Sequence, residues 1–416
     1  MKELILRGKQ NVLRAALLEQ DELIEVFEEE VIQAALVGNI YRGRVENVLP
    51  GMQAAFVDIG LAKNAFLYVA DALPQRFSEE EQRLRPAEMR RVEQVLRPGQ
   101  ELIVQIQKEP VGGKGARVTT NLTLPGRYTV LLPKVDYVGI SRKITDLVER
   151  DRLRQIAEAR RPAGVGLIMR TMAEGLGAAE IGEDIDRLLE VWGNLGQRLP
   201  KTSIPGRVYR EVDLVTRLVR DFIDADVGKI TVDQTGIAEG LRAALLDLKH
   251  PAANQVVLDL SGTLFERYGV DDQIRQALLP KVWLKSGGYL VLEETEALTV
   301  IDVNTGRYIG ERSLQDTVLY INLEAAAEIA RQLRLRNIGG IVVIDFIDMA
   351  EDEDRRQVLT ALEHNCGLDK LKCDILGFTG LGLVEMTRKK AGRRLKARYA
   401  SVCEMCGGKG YIPEPQ

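Results

Sequence analysis

The sequence predicts a multidomain α/β protein, for three reasons. The chain has 416 residues, which is too long for one hydrophobic core and favours roughly two to four domains. Short strands interrupted by glycines between residues 37 and 120 predict a small β-barrel. Two apolar runs that each end in an aspartate, residues 298–302 and 339–345, flank a helix with one apolar face, which predicts a strand–helix–strand unit. Continuous apolar runs of this length predict parallel strands that are buried on both faces.

The composition limits the chemistry that is open to the chain. The net charge is -4, so any nucleic-acid binding would depend on local basic patches. There are only two histidines, so carboxylates rather than imidazoles would have to carry catalysis. Four cysteines argue against a disulfide framework. No signal peptide or transmembrane segment is predicted, and we therefore expect a cytoplasmic protein.

The order of secondary structure ahead of the aspartates follows from local patterns. Residues 1–36 alternate short apolar runs with charge and predict a strand pair. Residues 121–210 predict strands mixed with two helices, around residues 145–160 and 178–195. Residues 213–280 alternate helix and strand. The α/β pattern is therefore strongest in the block that follows.

The two aspartates at the strand ends form the main candidate site. If the strands are parallel neighbours, Asp302 and Asp345 lie roughly 5 Å apart at the carboxyl edge of the sheet, where open α/β sheets place active sites. Asn304 points to the same side. Two carboxylates and an amide suit Mg²⁺, which would activate water and polarise a phosphodiester that Asn304 orients. Asp348, three residues before Glu351, is predicted instead to cap the next helix.

Cys403 and Cys406 lie in a turn of the zinc-knuckle type. One such pair supplies two thiolates, whereas a closed structural zinc site takes four ligands. Cys366 and Cys373 would complete the set within one chain, although their spacing is poor for a knuckle and buried thiols are common. The other solution is a second copy of the chain, so that zinc links a homodimer. A redox role ranks lower, because no thioredoxin-like pattern surrounds the pair.

Aromatic and basic residues of the first half are candidates for binding single-stranded nucleic acid. Phe56 points away from the strand face that Ala55 and Val57 form, and Phe66 is the second candidate for stacking on bases. A core position is an equally good interpretation of each aromatic residue alone. A basic run at residues 388–398 is predicted to help hold a polyanion. Four further basic residues would follow the phosphates: Lys108, Lys114, Arg117 and Arg142.

These motifs make the chain similar to the ribonuclease E/G family over nearly its whole length. The most specific stretches are EALTVIDVN at residues 296–304, NLEAA at 322–326, IARQLRLR at 329–336 and IDFIDM at 344–349. The resemblance implies that Asp302 and Asp345 bind the catalytic Mg²⁺ and that Asn304 positions the scissile phosphate. It also implies that the cysteine knuckle shares Zn²⁺ between two protomers, and it leaves open whether dimers pair into a homotetramer.

The resemblance also implies a domain layout. Because the sequence ends four residues after Ile412, we expect no long scaffold arm and a layout closer to the ribonuclease G branch of the family. Five parts are implied: an RNase H-like domain in two segments, 1–36 and 213–280; an OB-fold RNA-binding domain, 37–120; a 5′-sensor region, 121–212; a DNase I-like catalytic domain, 281–399; and a zinc-link, 400–416.

The family's sensor for a 5′-monophosphate is matched at four positions: Arg170, Thr171, Gly126 and Val130. Two positions depart from the family pattern. Lys372 stands in place of a sensor arginine, and lysine lacks the bidentate fork that guanidinium offers a phosphate. Val111 stands where some members have a basic residue on the RNA path. Both departures concern RNA and 5′-end binding and leave the catalytic set unchanged.

Two functions from different classes are compatible with the sequence. The first is a Mg²⁺-dependent endoribonuclease that cuts single-stranded RNA in rRNA maturation and mRNA turnover. The resemblance adds a preference for AU-rich sites and for 5′-monophosphorylated ends. The second is a catalytically silent RNA-binding or assembly protein, against which the intact set of Asp302, Asn304 and Asp345 argues. A nucleotide hydrolase is not supported, because the sequence lacks a Walker A loop.

Overall fold

The computed structural model describes residues 2–30, 36–74, 91–110, 114–223, 226–248, 250–306, 314–408, 410 and 412. The chain divides into two compact units. The first unit combines Met1–Glu28 with Ala225–Gln416, and the second unit is Glu29–Asp224. The finer five-part layout that the resemblance implies stays a prediction.

β-Strands occur in both units. In chain order they are β1 (Lys2–Lys9), β2 (Val12–Glu19), β3 (Glu22–Glu30), β4 (Ile40–Leu49), β5 (Ala54–Asp58), β6 (Ala65–Tyr68), β7 (Glu101–Lys108), β8 (Arg117–Thr119), β9 (Leu124–Pro125), β10 (Thr129–Pro133), β11 (Val138–Ile140), β12 (Val165–Met169), β13 (Gly206–Tyr209), β14 (Val227–Val232), β15 (Val256–Leu258), β16 (Lys281–Trp283), β17 (Tyr289–Glu294), β18 (Leu298–Asn304), β19 (Gly340–Asp345), β20 (Cys373–Phe378) and β21 (Val384–Arg388).

The helices vary from one turn to six. In chain order they are α1 (Val69–Ala72), α2 (Val92–Val95), α3 (Leu147–Arg160), α4 (Ala178–Arg198), α5 (Leu214–Asp221), α6 (Thr235–Asp247), α7 (Leu264–Arg267), α8 (Val270–Gln276), α9 (Leu314–Leu335), α10 (Asp352–Gly367) and α11 (Leu395–Tyr399). Within the part of the chain that the structure describes, no helix has the length and apolar character needed to cross a membrane.

The first sheet of the first unit has the strand order β15-β14-β1-β2-β3. β1 and β2 form an antiparallel hairpin, in which Gln10 and Asn11 have φ values of 49° and 63°. Positive φ at both turn residues matches the twist of a two-residue hairpin. The strand pair predicted for residues 1–36 is confirmed, and β14 extends the sheet by pairing parallel to β1.

The second sheet of the first unit has the order β16-β17-β18-β19-β21-β20 and carries the aspartates. β18 and β19 pair in parallel, and α9 lies between them in the chain, as the strand–helix–strand pattern predicts. Alternate residues of both strands, including Ile301, Val303, Val342 and Ile344, pack with α9 and α10 in one apolar core. This core fixes the register of the strands that carry the site.

The opposite face of this sheet is open at several positions. Val300 is 37% exposed and Ile341 is 52% exposed, and Asp302 and Asp345 are exposed beside them. The prediction that both apolar runs are buried on both faces is therefore wrong. The sheet is mixed rather than wholly parallel, and the helices that pack in its core leave these branched residues in contact with solvent.

A closed barrel makes up one part of the second unit. β4, β5, β6, β8 and β7 pair in that order, and β7 closes the barrel on β4. Val45, Val57 and Leu67 belong to its buried core. Gly43 is required at the closure, because a Cβ there would lie 2.7 Å from the carbonyl oxygen of Asp58. The predicted small barrel is confirmed, and its five closed strands make it OB-like.

The other sheet of the second unit has the order β11-β12-β10-β9. It shares an apolar core with α3 and α4. α3 begins after Asp146, whose side chain accepts a hydrogen bond from the Val148 amide and so caps the first turn. Both helices predicted in this region are confirmed. β10 and β12 pair antiparallel from Thr129 with Met169 onward, which brings the chain before β10 close to the chain after β12.

Candidate functional site

The parallel register of β18 and β19 makes Asp302 and Asp345 direct partners at the carboxyl ends of the strands. Because neighbouring strands are ~4.8 Å apart and paired residues share a face, the two carboxylates stand side by side. Both residues are exposed. Among the described residues, no lysine or arginine forms an ion pair with either carboxylate. The sheet therefore presents two neighbouring negative charges without an internal counter-charge from the described chain.

Asn304 stands on the same side as Asp302 and is joined to it. Its Nδ2 donates a hydrogen bond to Asp302 Oδ2 at 2.8 Å. The amide is therefore close enough to orient the carboxylate and any group that the carboxylate binds. The sequence prediction that these three residues lie together agrees with this geometry, while their catalytic roles stay a prediction.

The electrostatics of the pair show repulsion. Partial burial raises the pKa of the Asp345 carboxyl, and the nearby charges of Asp302 and Asp348 raise it further. Asp348 therefore acts on Asp345, and the prediction that it caps the following helix is wrong. The chain continues for several residues beyond β19, with Met349 buried, so that α10 begins only after Glu351. Extra negative charge at this edge favours a bound cation.

A buried asparagine, which no sequence motif marks as functional, holds the segment after β19. Asn322 of α9 is fully buried, donates to the carbonyl oxygen of Ile347 at 2.8 Å and accepts from the Ile347 amide at 3.1 Å. These two hydrogen bonds to one backbone residue fix the chain between Asp345 and Asp348. The available signal was a polar residue on the apolar face of a helix.

The donor set fits Mg²⁺ better than a metal that needs a complete protein cage. Asp302 and Asp345 supply hard oxygen ligands, and Mg²⁺ commonly keeps several waters. Among the described residues, no group of three or more histidine, cysteine, aspartate or glutamate side chains is arranged to hold a metal ion. A site at the pair would therefore depend on two carboxylates, water and substrate oxygens.

The four cysteines fall into two pairs. Cys403 is exposed and Cys406 is half-buried, and the Gly410 amide donates to the Cys406 sulfur at 3.4 Å. Cys366 lies elsewhere, where a hydrogen bond with Cys373 and burial both raise the pKa of its thiol. Since the described residues contain no three-ligand group, the alternative of a four-cysteine site within one chain is not formed.

Three aromatic side chains form a continuous surface on the barrel. Phe56 and Phe66 are register partners on β5 and β6, with ring centroids 5.6 Å apart. Tyr68 adds a third ring, 4.6 Å from that of Phe66, and is 39% exposed. Neither phenylalanine belongs to the barrel core. Tyr68 was missed in the sequence, although its spacing of two from Phe66 places both on one strand face.

Basic side chains continue this aromatic surface. Phe66, Arg117 and Lys108 are successive register partners across β6, β8 and β7. The Arg117 guanidinium lies 4.7 Å from the centre of the Tyr68 ring and pairs with Asp71 at 2.7 Å. The predicted phosphate contacts of this half that are exposed are Lys108, Lys114 and Arg142.

The structure brings the predicted sensor residues of the second unit together. Arg170 follows β12, and its guanidinium donates to the Gly126 carbonyl oxygen at 2.5 Å. Thr171 is the next residue, and its hydroxyl lies 2.8 Å from that of Ser141. Val130 is half-buried on the neighbouring strand β10. Their role in binding a phosphate stays a prediction.

The Arg170 guanidinium already has a carboxylate partner. It pairs with Asp221 at 2.7 Å. Burial opposes ionisation of Asp221, but Arg220 and Arg170 outweigh that effect and lower the pKa of its carboxyl. No local sequence pattern indicates this pair, because Asp221 lies about fifty residues away in an ordinary helical pattern.

A second carboxylate that the sequence did not indicate supports the backbone beside Arg170. Asp184 is buried and accepts hydrogen bonds from the backbone amides of residues 127–129 at 2.9–3.0 Å. Gly126 is required beside it, because a Cβ there would lie 2.6 Å from an Asp184 oxygen. The turn before β10 is therefore held rigidly next to Arg170.

The two departures from the family pattern lie apart from these residues in the chain. Lys372 belongs to the first unit, where its ammonium group pairs with Asp374 at 2.7 Å. Val111 lies outside the described residues.

The basic run at residues 388–398 is partly structural. Arg388 is buried and pairs with buried Asp369 at 2.7 Å. Arg394 pairs with Glu294. The prediction that the run holds a polyanion is therefore wrong for Arg388, whose charge is neutralised inside the unit.

Comparison with known proteins shows the family of the chain. The model of the ribonuclease E/G family matches residues 123–391. Ribonuclease G of Escherichia coli is 41% identical over 418 residues, covering 99% of this chain and 84% of that protein. Ribonuclease G of Haemophilus influenzae is 41% identical over 412 residues, with 99% and 84% covered. Ribonuclease E of Nostoc is 42% identical over 408 residues, covering 94% of this chain and 58% of that protein. The chain belongs to the ribonuclease E/G family, and the enzyme class that the sequence predicts, an endoribonuclease, is confirmed at the level of that family.

Proposed function

We propose that this protein is a Mg²⁺-dependent endoribonuclease that cuts single-stranded RNA in the cytoplasm, in rRNA maturation and mRNA turnover. The observation that carries the proposal is the pair of register-matched aspartates, Asp302 and Asp345, on an open sheet face. Their mutual repulsion is relieved by a divalent cation, and a structural role would not require two adjacent exposed carboxylates.

The two aspartates and two neighbouring asparagines have separate roles in the proposed site. Asp302 and Asp345 would hold Mg²⁺ through carboxylate oxygens. When bound, the ion supplies Lewis acidity and lowers the pKa of a water for attack on phosphorus. Asn304 fixes the Asp302 carboxylate through its 2.8 Å hydrogen bond and orients the scissile phosphate. Asn322 keeps the segment after Asp345 in place.

The barrel surface of the second unit binds the RNA strand. Phe56, Phe66 and Tyr68 offer ring faces and edges on which successive bases stack, while Lys108 and Arg117 contact phosphates from the same row of strands. Lys114 and Arg142 are exposed cations that add to this path. We propose AU-rich sites as the preferred targets, because weakly paired RNA is most often single-stranded.

The 5′ end is read at Arg170 and Thr171, against the wall formed by Gly126 and Val130. A 5′-monophosphate would accept hydrogen bonds from the Arg170 guanidinium and the Thr171 hydroxyl. Lys372 stands where the family has an arginine, and lysine lacks the bidentate fork that guanidinium offers a phosphate. We therefore propose that a 5′-monophosphate accelerates cleavage without being required for it.

Zinc joins two copies of the chain. Cys403 and Cys406 supply two thiolates from each protomer, which completes the four ligands of a closed structural site. The exposure of Cys403 and the distance in sequence from the buried Cys366 support an intermolecular site. The homodimer is the smallest assembly that this site requires, and a homotetramer would need a further interface.

The proposal is tested by cleavage of a short, internally labelled, AU-rich single-stranded RNA with a 5′-monophosphate in Mg²⁺. Internal cuts by the wild type but not by Asp302→Asn, with equal RNA binding, would support the nuclease. A twin substrate with a 5′-hydroxyl reports on Arg170. Intact RNA binding without any cleavage would instead identify a catalytically silent RNA-binding or assembly protein.

A further inference from the structure

A second group of side chains lies on the sheet of the aspartates and has no role so far. Trp283 on the edge strand β16 and Tyr289 on β17 are register partners, with ring centroids 5.4 Å apart at an angle of 61°. The ammonium group of Lys281 lies 4.0 Å from the centre of the Trp283 ring and 3.6 Å from that of Tyr289. Trp283 is nevertheless 63% exposed.

The sheet register connects this group to the aspartates. Trp283, Tyr289 and Asn304 are successive partners across β16, β17 and β18. In the neighbouring row, Lys281 and Asp302 lie on either side of the same β17 residue. Paired residues project from the same face, and each strand adds ~4.8 Å. Trp283 therefore shares the face of the carboxylates and stands about 10 Å from Asn304 in the plane of the sheet.

The charge of Lys281 is available to a ligand. Among the described residues, no carboxylate lies within salt-bridge distance of its ammonium group, which is held by ring faces instead. A cross-strand aromatic pair also stabilises a sheet, and a lysine protects an edge strand from pairing. Neither structural role accounts for an indole that stays mostly exposed in the row of Asn304.

We propose that Lys281, Trp283 and Tyr289 form a nucleotide subsite for single-stranded RNA next to the scissile phosphate. A base stacks on the exposed face of Trp283, Tyr289 holds the indole, and Lys281 contacts an adjacent phosphate. The inference rests on the proposed function, because it assumes that the reacting phosphate lies at Asp302 and Asp345. Stacking accepts every base, so the subsite adds affinity and positions the strand without choosing its sequence.

The first test uses the fluorescence of Trp283 itself. The chain has two tryptophans, and the other, Trp192, packs against the apolar core of the second unit. In Trp192→Phe, Trp283 is the only tryptophan. Short single-stranded RNA, added without divalent cations so that no cleavage occurs, is expected to quench its emission. An abasic oligonucleotide of equal length should quench much less. RNA that binds by anisotropy but leaves the emission unchanged overturns the proposal.

The second test separates binding from folding. Trp283→Ala is expected to raise KM for a short RNA on the order of tenfold with little change in kcat. Trp283→Phe should recover most of this loss. Leu376→Ala, which removes an exposed apolar residue from the opposite edge strand β20, is the matched control. A lowered Tm with an unchanged KM would show a purely structural role and overturn the proposal.

These two tests also separate the subsite from the proposed function. If the wild type cleaves no RNA, the proposed function fails, and the fluorescence titration still decides whether Trp283 binds bases. If the wild type cleaves but Trp283 neither responds to RNA nor affects KM, the subsite alone fails.

Discussion

Two sites differ in whether their charges are compensated: the carboxylate pair, Asp302 and Asp345, and the Arg170 cluster, which consists of Arg170, Thr171 and Asp221. Asp302 and Asp345 stand side by side, and among the described residues neither has a cationic partner. Burial and the neighbouring charges raise the pKa of Asp345. The Arg170 guanidinium, in contrast, is already paired with Asp221, whose pKa is lowered. One site keeps an uncompensated charge, and the other is neutralised from within.

This difference indicates how each site depends on its ligand. A divalent cation at the pair relieves repulsion that is present in the free protein, so binding and catalysis are coupled there. A 5′-phosphate at Arg170 has to compete with Asp221 for the same guanidinium. We therefore expect cleavage to depend absolutely on the pair and only by degrees on the 5′ end.

Loss of the side chain that supports the carboxylate pair is expected to impair catalysis. Asn322→Ala leaves the amide and carbonyl groups of Ile347 without their partner, so the segment after Asp345 is free to shift. A misplacement of about 1 Å costs up to roughly 100-fold in rate, and we expect kcat to fall by about 10- to 100-fold. The free energy of unfolding should also fall by about 1–3 kcal/mol.

Single-turnover cleavage and urea unfolding measure the two effects of Asn322→Ala. Asn365→Ala is the matched control, since that side chain donates to the carbonyl oxygen of Ala361 within its own helix. A destabilised Asn322→Ala protein that keeps its full kcat would show that the residue has no positioning role.

Removal of the carboxylate of Asp221 from the Arg170 cluster is expected to increase the effect of the 5′-phosphate on cleavage. Asp221→Asn leaves the guanidinium without its counter-charge, so the ratio of cleavage rates for 5′-monophosphate and 5′-hydroxyl RNA should rise several-fold, on the order of the charge-assisted hydrogen bonds gained. Arg170→Ala should lower the same ratio to about one. Equal ratios in both variants and the wild type would remove Arg170 from 5′-end sensing.

The barrel surface should show a moderate effect on substrate binding. Tyr68→Ala removes a stacking ring and the contact with Arg117, and we expect KM to rise by about 5- to 10-fold for short single-stranded RNA. Tyr68→Phe keeps the ring and should restore the wild-type KM. The Kd of a double-stranded RNA, which the enzyme is not expected to cut, provides the comparison, because its bases are not free to stack. An equal weakening of binding for single-stranded and double-stranded RNA would argue against base stacking at Tyr68.

The smallest effect on cleavage is expected at the zinc knuckle. Cys403→Ser removes one thiolate per protomer and should dissociate the dimer, while cleavage of a short RNA changes by less than about threefold because no ligand of the pair is touched. Sedimentation with and without a zinc chelator measures the assembly. An unchanged dimer after zinc removal would contradict the shared site.

The adjacency of the aspartates was predictable because it depends on local patterns alone. Two apolar runs of strand length, separated by one helix, leave a parallel pair as the natural solution, and the ends of both strands then meet. The open face was not predictable in the same way. Val300 and Ile341 are apolar yet exposed. The strands therefore lack the alternation of apolar and polar residues that indicates a sheet buried on one face only.

The supporting contacts depend on tertiary structure and lie beyond sequence patterns. Asn322 contacts a backbone residue 25 positions away, and Asp221 reaches Arg170 from another helix. The sequence places Arg388 in a basic run, whereas in the structure it is buried and paired with Asp369. In each case the residue type was visible, but its partner was fixed only by the packing of distant segments.

The decisive experiment for the metal site is the dependence of cleavage on Mg²⁺, measured side by side for the wild type and Asp345→Asn. If Asp302 and Asp345 bind the catalytic Mg²⁺, wild-type cleavage of 5′-monophosphorylated AU-rich RNA is absent in chelator and saturates as Mg²⁺ is added. Asp345→Asn is then expected to lose roughly a thousandfold or more in rate while RNA binding is retained. Wild-type cleavage that persists in chelator, or an Asp345→Asn variant that cleaves at the wild-type rate, would rule out a catalytic metal at this pair.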